Sequence, residues 1–323
     1  MLRLRNERRA PIHTWMSTQR VAYLGPPGTF TEQALLTQVD LATLEHISLP
    51  TIRGVLEATN AGEVDLGFAA IENSIEGAVN ATLDALAFEL DLLIQREVIH
   101  PVEMCLLGRQ GSSLDQIRSV VSFPHAAAQC HKYLAETFDH VDIVAANSTA
   151  EAAQQLAHDG KNTTAVIGNA LAGSTYGLEV LARQIEDHPG NHTRFVAVAR
   201  EGIPAPTGHD KTSIVTFQRA DRPGSLVNIL QEFSARSINL THLQSRPTKR
   251  ELGDYCFVIE LEGHVADERV ADCLKNVHAK QAHVRFLGSY PAVGAHADNS
   301  RTEANEAWDD AEQWIEQIRV RIG

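Results

Sequence analysis

Short hydrophobic runs alternate with amphipathic stretches along the N-terminal part of the chain. The first run ends in a Gly/Pro turn, and a helix is predicted to begin at Thr29, where Glu32 completes the spacing of a capping box. Ser148 and Glu151 repeat this spacing before a later helix. Because strands alternate with helices, the pattern predicts an α/β architecture. The predicted strands are 21–25, 65–71, 98–107, 119–122, 141–145, 165–168 and 194–199, and two of the predicted helices are 125–136 and 150–158.

A different pattern follows residues 202–208, whose Gly and Pro content is typical of a linker. From residue 211 the order of predicted elements is βαββαβ, which indicates a ferredoxin-like unit. The residues after 291 are acidic and polar, with one short amphipathic helix predicted at 307–322. The strands of this unit are predicted at 212–218, 240–246, 255–262 and 283–287, and its helices at 225–236 and 267–278.

The composition is that of a soluble globular protein with two or three domains, because 43% of the 323 residues are hydrophobic and 21% are charged. No apolar run reaches the length of about 18 residues that a membrane span needs. The net charge of −13 argues against a nucleic-acid partner, which usually needs a basic face. An anionic small substrate remains compatible, since a local pocket can be basic within an acidic surface.

The cysteine pattern favours a reducing compartment. The four cysteines include no C-x-x-C pair, and so few in a long chain are typical of free thiols. The basic N-terminus lacks the apolar core of a signal peptide. Together these features predict a cytoplasmic protein.

Two strand-to-helix turns carry polar groups that suit an anionic ligand. In residues 25–31, backbone N–H groups at the helix start and the hydroxyls of Thr29 and Thr31 could bind an anion, although a capped helix after a tight turn explains the same residues. In residues 122–126, Ser122 precedes His125, which is as readily a solvated residue at a helix start.

Polar residues also follow a buried strand at 71–77. Glu72, Asn73 and Ser74 stand where open α/β sheets bind ligands, and the alternative is a polar capped turn. Nearer the end of the α/β region, Thr193 offers a neutral hydrogen-bond donor and Arg194 a bidentate clamp for a carboxylate, unless the arginine is only an exposed loop residue.

The sequence does not support several other kinds of active site. His188 and His192 are four residues apart, but the intervening Pro–Gly pair breaks any helix, so a metal site is not predicted. The chain has no H-E-x-x-H, G-x-S-x-G or G-x-G-x-x-G motif, which removes the main support for zinc proteases, serine hydrolases and Rossmann dehydrogenases.

Taken together, the motifs resemble those of prephenate dehydratases in both content and order, over about residues 19–291. The C-terminal unit resembles the ACT regulatory domain of the same family. The residues that carry the resemblance are 25–32, 71–77, 176–182 and 191–195 in the α/β region, and 223–227, 239–247 and 287–291 in the C-terminal unit.

The resemblance implies a catalytic region folded like a type II periplasmic binding protein, with two lobes that face a cleft and two chain crossings. A fused chorismate mutase would need far more than the residues before the first strand, so a monofunctional chain is expected. The expected boundaries are a disordered extension 1–18, a catalytic domain 19–201 with lobe one at 19–98 and 180–201 and lobe two at 99–179, a linker 202–210, an ACT domain 211–291, and an acidic tail 292–323.

The family converts prephenate to phenylpyruvate with loss of water and carbon dioxide, a step of phenylalanine biosynthesis that uses no cofactor and no metal. The resemblance makes Thr193 the essential residue, which would hydrogen-bond the departing hydroxyl; Arg194 would either clamp a carboxylate or order the loop. Glu72, Asn73 and Ser74 would line the cleft opposite, with Glu72 a candidate acid if burial raises its pKa. The substrate-binding residues implied are Thr29, Phe30, Thr31, Ser122 and Phe195, the last packing under the site.

The resemblance also implies feedback inhibition by L-phenylalanine and a homodimer or homotetramer, since ACT domains usually bind effectors at subunit contacts. Three departures touch these expectations: Phe123 replaces the usual histidine, Gln244 the usual glutamate, and Ser225 the usual alanine. The loss of a carboxylate at Gln244 would weaken recognition of the effector's ammonium group. The implied effector-binding residues are Gly224, Ser225, Leu226, Val227, Gln244, Ser245, Arg246 and Pro247.

Two rival functions remain. Arogenate dehydratase performs the same elimination on the amino analogue, and an acidic group facing the amino group would favour it. A non-catalytic amino-acid sensor would use the binding-protein fold and the ACT unit alone, but the intact motifs around Glu72 and Thr193 argue against it.

Overall fold

The computed structural model describes residues 19–159, 161–219, 222–249, 254–294, 308, 310, 311 and 313–321. These residues form three β-sheets with their helices: two in the α/β region and one in the C-terminal unit. The predicted extension 1–18 lies outside the described residues, as does most of the acidic tail. In the tail, the described residues between 308 and 319 are helical, in agreement with the predicted amphipathic helix.

The first sheet forms the core of lobe one. Its strand order is β2-β1-β3-β11-β5, with the short β4 paired to β3, and only β11 and β5 come from beyond the first βαβ units. Thr51 caps the second helix by accepting a hydrogen bond from the Gly54 N–H at 2.9 Å. The strands are β1 Arg20–Leu24, β2 Glu45–Leu49, β3 Leu66–Asn73, β4 Gly77–Ala78, β5 Leu93–Pro101 and β11 His192–Ala199; the helices are α1 Phe30–Leu36, α2 Ile52–Ala61 and α3 Asn80–Asp84.

The second sheet forms lobe two, with strand order β10-β6-β9-β7-β8. The Ser148 hydroxyl accepts a hydrogen bond from the Glu151 N–H at 3.0 Å, so the second predicted capping box begins a helix. The strands are β6 Cys105–Gly108, β7 Ser119–Ser122, β8 Asp142–Ala145, β9 Thr164–Gly168 and β10 Glu179–Arg183; the helices are α4 Pro124–Ala128, α5 His131–Thr137, α6 Thr149–Asp159 and α7 Ala170–Tyr176.

The chain passes between the two lobes twice, once from β5 to β6 and once from β10 back to β11. The returning strand β11 is inserted between β3 and β5, antiparallel to both. This arrangement is the two-lobed, type II periplasmic-binding-protein-like fold that the sequence predicts, and the mixed α/β class is confirmed.

Three sequence predictions need correction at the crossings. The single strand predicted at 98–107 is two strands in different sheets, because the chain leaves the first sheet after Pro101. Residues 99–101 therefore belong to lobe one and 180–183, in β10, to lobe two. The helix predicted at 125–136 is two short helices, interrupted at Gln129 and Cys130. Neither β2 nor α2 is predicted from the hydrophobic pattern.

The C-terminal domain has the predicted βαββαβ order. Its antiparallel sheet is ordered β13-β14-β12-β15, and Ile229, Phe233 and Val277 of its two helices pack on one face of that sheet. Only the ends of the elements differ from prediction, most of all in the last strand. The elements are β12 Asp210–Phe217, α8 Ser225–Ser234, β13 Leu240–Pro247, β14 Tyr255–Glu262, α9 Glu268–Lys280 and β15 His283–Pro291.

The other face of this sheet packs against lobe one, so that the two domains share a hydrophobic core. Ile94 and Val196 of lobe one lie in one buried cluster with Val258 and Tyr290 of the C-terminal domain. At Gly288 a Cβ would stand 2.5 Å from the Ile94 carbonyl oxygen, which shows how closely β15 lies on β5. The C-terminal domain thus covers one face of the first sheet, over strands β3, β5 and β11.

The four cysteines are buried, and none forms a disulfide, as predicted. None of the helices among the described residues combines the length and the apolar character needed to cross a membrane.

Candidate active site

A cavity of about 360 Å³ lies between the two lobes, at the ends of the strands that carry the predicted motifs. Its lining combines hydroxyls, amides, aromatic rings and aliphatic side chains. Among the described residues that line it, His125 is the only ionisable side chain. The lining residues are Leu24, Thr29, Phe30, Thr31, Ala70, Asn73, Val102, Met104, Phe123, His125, Ala126, Gln129, Asn147, Ser148, Thr149, Asn191, Thr193 and Phe195.

Thr193 lies at the start of β11, where its buried hydroxyl is held by Asn73 of the neighbouring strand β3. The Asn73 amide donates to Thr193 Oγ1 at 2.9 Å. The Asn73 Oδ1 in turn accepts from the backbone N–H groups of Ile75 and Glu76, which fixes the orientation of the amide. Because a hydroxyl has one proton and this contact uses an acceptor position, the Thr193 proton is available to a ligand in the cavity.

Asn191 extends this network across the cleft. Its Oδ1 accepts from Asn73 Nδ2 at 2.9 Å, and its Nδ2 donates to Gln129 Oε1 of lobe two at 3.2 Å. Asn191 is only 4% exposed, so these contacts are shielded from solvent. The second chain crossing is thereby tied to both lobes directly beside Thr193.

Ser74 supports the network from outside the cavity. Its hydroxyl donates to Asn191 Oδ1 at 3.2 Å and accepts from the His192 N–H at 3.0 Å. Ser74 does not line the cavity, in contrast to Asn73. These contacts give Ser74 the role of holding the loop before Thr193. The family resemblance instead predicts that Ser74 lines the cleft.

Arg194 and Glu72 point away from the cavity, whereas the family resemblance places Glu72 in the cleft and makes Arg194 either a carboxylate clamp or a residue that orders the loop. Successive side chains of a strand lie on opposite faces, so the residue after Thr193 and the residue before Asn73 face the C-terminal domain. The Arg194 guanidinium lies 3.2 Å from a Glu72 carboxylate oxygen and 3.1 Å from Glu97. It also makes a bidentate pair with Glu260 of β14, at 2.8 and 2.9 Å.

This Arg194 cluster (Arg194, Glu72, Glu97, Glu260 and Lys211) is largely shielded from solvent except at Glu72, with 11% of the arginine side chain exposed. Burial alone would lower the pKa of Arg194, but the Glu260 carboxylate outweighs it and raises the pKa well above its ordinary value. The guanidinium is thus a permanent charge whose contacts are within the protein. Of the two predicted roles, its position fits ordering of the loop and not a clamp on a ligand in the cavity.

The predicted anion-binding turn provides the opposite wall of the cavity. The Thr29 hydroxyl donates to the Leu24 carbonyl at 2.9 Å and accepts from the Glu32 N–H at 3.2 Å, so the helix cap occupies it. Glu32 completes the cap differently from a standard capping box, because it accepts from Gly28 N–H at 2.5 Å. Thr31 and Phe30 line the cavity beside it.

The turn after β7 contributes His125, for which the sequence left a solvated helix-start residue as the alternative, and Phe123, which the sequence did not place in the site. Phe123 and His125 line the cavity with their rings stacked at 5.4 Å. His125 Nδ1 lies 3.2 Å from a Glu76 carboxylate oxygen of lobe one, a contact that bridges the lobes. The predicted Ser122 is 1% exposed and does not line the cavity, and its hydroxyl has no hydrogen-bond partner in the described part of the chain.

Phe195 is stacked on Phe68 with ring centroids 5.4 Å apart, and it lines the cavity together with Thr193. The site residues that sequence reasoning missed are mainly amides from the second lobe and the crossing. Asn191 stood within a quoted motif, and residues 147–149 follow the end of a strand, which is where such sheets bind ligands. Gln129 carries no comparable signal.

One side of the cleft is closed by a direct contact between the lobes. The Tyr176 hydroxyl at the end of α7 donates to the Pro27 carbonyl of the first turn at 2.7 Å. A Cβ on Gly28, whose φ is +87°, would stand 3.0 Å from Ala172, so only glycine allows α7 to approach this closely.

The predicted effector residues occupy the C-terminal domain in three different settings. Ser225 lines a cavity of about 500 Å³ between α8 and α9, distant from the motifs of the cleft. Val227 is exposed, and Gln244 Oε1 is buried with no hydrogen-bond partner among the described residues. Arg246 is turned to lobe one, where it pairs with Asp84 and donates to Asn80 Oδ1 at 2.7 Å.

These features define an enzyme-like cleft between the two lobes, joined to a C-terminal domain of regulatory type. Comparison with known proteins agrees with both assignments. Residues 21–203 match the family model of prephenate dehydratase, and residues 213–279 match that of the ACT domain. A prephenate dehydratase of Amycolatopsis methanolica is 41% identical over 303 residues, covering 93% of this chain and 98% of that protein.

Solved structures show the same fold. A prephenate dehydratase from Arthrobacter aurescens, in complex with L-Phe, superimposes with a TM-score of 0.83 at 39% identity, over 93% of this chain and 99% of that one. A protein described as a novel type of quorum quenching acylase, GqqA, gives a TM-score of 0.78 at 28% identity, over 85% and 98%. The chain belongs to the prephenate dehydratase family, whose members are carbon–oxygen lyases, and it carries an ACT domain.

Proposed function

We propose that this protein converts prephenate to phenylpyruvate, water and carbon dioxide. The observation that carries the proposal is the Asn73–Thr193 hydrogen bond at the edge of the interlobe cavity, which leaves the threonine proton for a ligand. The cavity volume of about 360 Å³ suits one small molecule. The relatives' activity and the intact motif together favour the same reaction.

The reaction needs orientation more than strong acid. The bond from the ring to its carboxylate breaks and carbon dioxide leaves, the electron pair moves through the ring, and the C–O bond at the far ring carbon breaks. The departing hydroxyl takes a proton that is supplied by solvent and leaves as water, and the aromatic ring supplies the driving force. Thr193 would donate a hydrogen bond to the departing oxygen, because a threonine is too weak an acid to be the proton's source. The Asn73–Asn191 network keeps that donor in place.

The lining favours prephenate over its amino analogue arogenate. Both substrates carry two carboxylates, but arogenate has an ammonium group where prephenate has a keto group, and an acidic residue would recognise that ammonium. No Asp or Glu stands among the described residues that line the cavity, so nothing there is placed to pair with an ammonium. Side-by-side turnover of the two substrates by one preparation measures this preference.

The test of the activity is phenylpyruvate formation by purified protein, with wild type beside Thr193→Ala and Thr193→Ser. The alanine variant should lose about 10²-fold or more in kcat, and the serine variant should retain part of it, since serine keeps a hydroxyl donor. Thr43→Ala, an exposed substitution on lobe one, is the matched control. A folded wild type that releases no phenylpyruvate contradicts the proposal and moves the assignment to arogenate or to amino-acid sensing.

L-Phenylalanine is the proposed inhibitor, acting through the ACT domain. The Arthrobacter relative is described in complex with L-Phe. Here Gln244 Oε1 is an acceptor with no hydrogen-bond partner among the described residues, in a domain that also exposes the apolar side chains of Val227 and Leu243. An amide oxygen binds an ammonium group less strongly than a carboxylate does. Titration calorimetry with wild type and Gln244→Glu tests this: the variant should bind phenylalanine more tightly, and no heat at millimolar ligand in either protein contradicts the regulation.

Association of two or four copies through the C-terminal domain is supported by its sheet edge. The strand β13 is an edge strand in the described sheet, and Leu243 on it is 42% exposed. An unpaired strand edge with apolar side chains is a ready surface for pairing with another copy. Sedimentation at micromolar concentration should give a dimer or tetramer, and a monomer would exclude this assembly.

A further inference from the structure

We propose that Glu260, a residue of the C-terminal domain, is a positioning residue for the reaction in the cleft and acts through Arg194 on Thr193. The inference rests on the proposed dehydratase function, because it concerns the threonine that this function uses. Part of the active site would then be held in place by the regulatory domain, on the face of the sheet opposite to the cavity.

The first argument is the geometry of the Glu260–Arg194 pair. Both oxygens of the carboxylate accept from the two terminal nitrogens of the guanidinium, at 2.8 and 2.9 Å, and Glu260 is 4% exposed. Such a fork-to-fork pair fixes the plane and direction of the guanidinium as well as its position. Burial keeps solvent from screening or replacing it.

The second argument is that the other partners of Arg194 hold it differently. Glu97 contacts one guanidinium nitrogen at 3.1 Å and also accepts from Lys211 at 3.0 Å and from the Val293 N–H at 2.8 Å. Glu72 lies 3.2 Å from the arginine Nε and is 37% exposed at its side chain. Without Glu260, the guanidinium would have only these two carboxylates of lobe one to pair with, and it would shift toward them.

The third argument is that the backbone ladder between β11 and β3 is irregular at this place, while β11 keeps regular pairing with β5 from His192 to Ala197. The pairing of β11 with β3 shifts register between Arg194 and Phe195, so β3 has an extra residue opposite this step. A bulge bends the strand and re-aims nearby side chains, which leaves its local geometry to be set by other contacts. The side chain of Arg194 supplies those contacts one residue from Thr193, so a shift of the guanidinium is transmitted to the threonine hydroxyl.

The test compares full-length Glu260→Gln and Glu260→Ala with Glu262→Gln as the matched control. Glu262 lies on the same strand, and its carboxylate accepts from Asn239 within the C-terminal domain at 3.0 Å. We expect Glu260→Ala to lower kcat for prephenate about tenfold with KM within about twofold, because a small displacement of a reacting group costs rate without removing substrate contacts. Glu260→Gln, which keeps one acceptor oxygen, should fall between, and the control should match wild type.

Hydrogen–deuterium exchange of peptides that span residues 192–199 gives a second readout that does not depend on turnover. Exchange there should be faster in Glu260→Ala than in Glu262→Gln. A purely structural role would lower the melting temperature and leave both kcat and the exchange of β11 unchanged below it, which would overturn the inference. If wild type is inactive on prephenate, the proposed function fails, and the exchange result alone then supports or overturns the positioning of β11 by Glu260.

Discussion

Arg246 of the C-terminal domain forms an ion pair with Asp84 of lobe one and also donates to Asn80 at 2.7 Å. The helix that carries both partners, α3, follows directly after β4, which pairs with Glu72 and Asn73 of β3. A residue that the family resemblance assigns to effector binding is therefore joined, through one short helix, to the hairpin that holds Thr193.

Replacing Arg246 by alanine should lower the free energy of unfolding by about 3 kcal/mol, because it leaves Asp84 partly buried without its main counter-ion. It should also weaken inhibition by phenylalanine, since the link between β13 and α3 is lost. Urea denaturation and inhibition curves measure the two effects. Lys249→Ala is the control: it removes the more exposed partner of the same carboxylate and should cost less than about 1 kcal/mol. Equal losses in both variants would contradict the assignment.

Asn73→Asp should reduce kcat about 10²-fold or more while the protein stays folded. The substitution keeps the shape but replaces an amide donor by an acceptor, so the Thr193 proton would turn to the new carboxylate and away from the cavity. Initial-rate kinetics with prephenate check this. Asn60→Asp, on the outer helix α2, is the control for the charge change and should behave as wild type; unchanged kcat in the Asn73 variant would show that the amide does not orient Thr193.

Stability should fall as the pH rises above about 9, because of the buried thiols. Burial raises the pKa of Cys105 to about 11 and of Cys130 to about 12, from the ordinary value of 9.0. A folded-state pKa above the unfolded one means that the stability is fully present below pH 9 and is lost as pH rises toward 11 to 12. Urea unfolding between pH 8 and 10.5 should show this fall, and Cys130→Ala should reduce its slope.

All four buried thiols should resist an aromatic disulfide reagent in the folded protein at pH 8, because the thiolate is the reactive form. All four should react with it in urea. Rapid labelling of the native protein would contradict their burial. Tyrosines with raised pKa, such as Tyr290, add to the loss of stability only at higher pH.

Tyr176→Phe should raise KM for prephenate a few-fold with little change in stability. The substitution removes one hydrogen bond between the lobes, worth about 1 kcal/mol, and so makes the closed cleft less favourable. Steady-state kinetics together with thermal melting separate the two effects. Tyr133→Phe, within the core of lobe two, should leave KM unchanged; a Tyr176 variant with unaltered KM would show that this contact does not control closure.

The C-terminal domain was predictable from sequence to within a few residues, whereas the crossings were not. Strands such as β14 carry a mostly apolar pattern bounded by turn residues. Such a strand can be predicted from neighbouring residues alone. The run at 98–107 also looks like one strand locally, and only the sheet to which each half pairs reveals two. Pairing partners are far apart in sequence, so the hydrophobic pattern could not show where the chain changes lobe.

The same limit explains which site residues were found. Asn73 and Thr193 were predicted because each stands in a distinctive motif at a strand end. Arg194 and Glu72 stand in the same motifs, and strand alternation turns them to the face opposite Thr193 and Asn73, but the hydrophobic pattern does not show that a separate domain covers that face. Gln129 entered the site only because the break between α4 and α5 of lobe two brings it to Asn191.

The shared core between lobe one and the C-terminal domain limits how the proposed inhibition could be removed. A protein truncated in the linker, without the C-terminal domain, would expose to water the apolar face that carries Ile94 and Val196. Its Arg194 would also lose Glu260 as a partner. Deleting the domain would therefore yield an aggregating lobe and not an unregulated catalyst. An organism that needs this enzyme to resist feedback inhibition would have to keep the domain and alter single residues on it. Suitable residues are those of β13 and α8 that face away from lobe one.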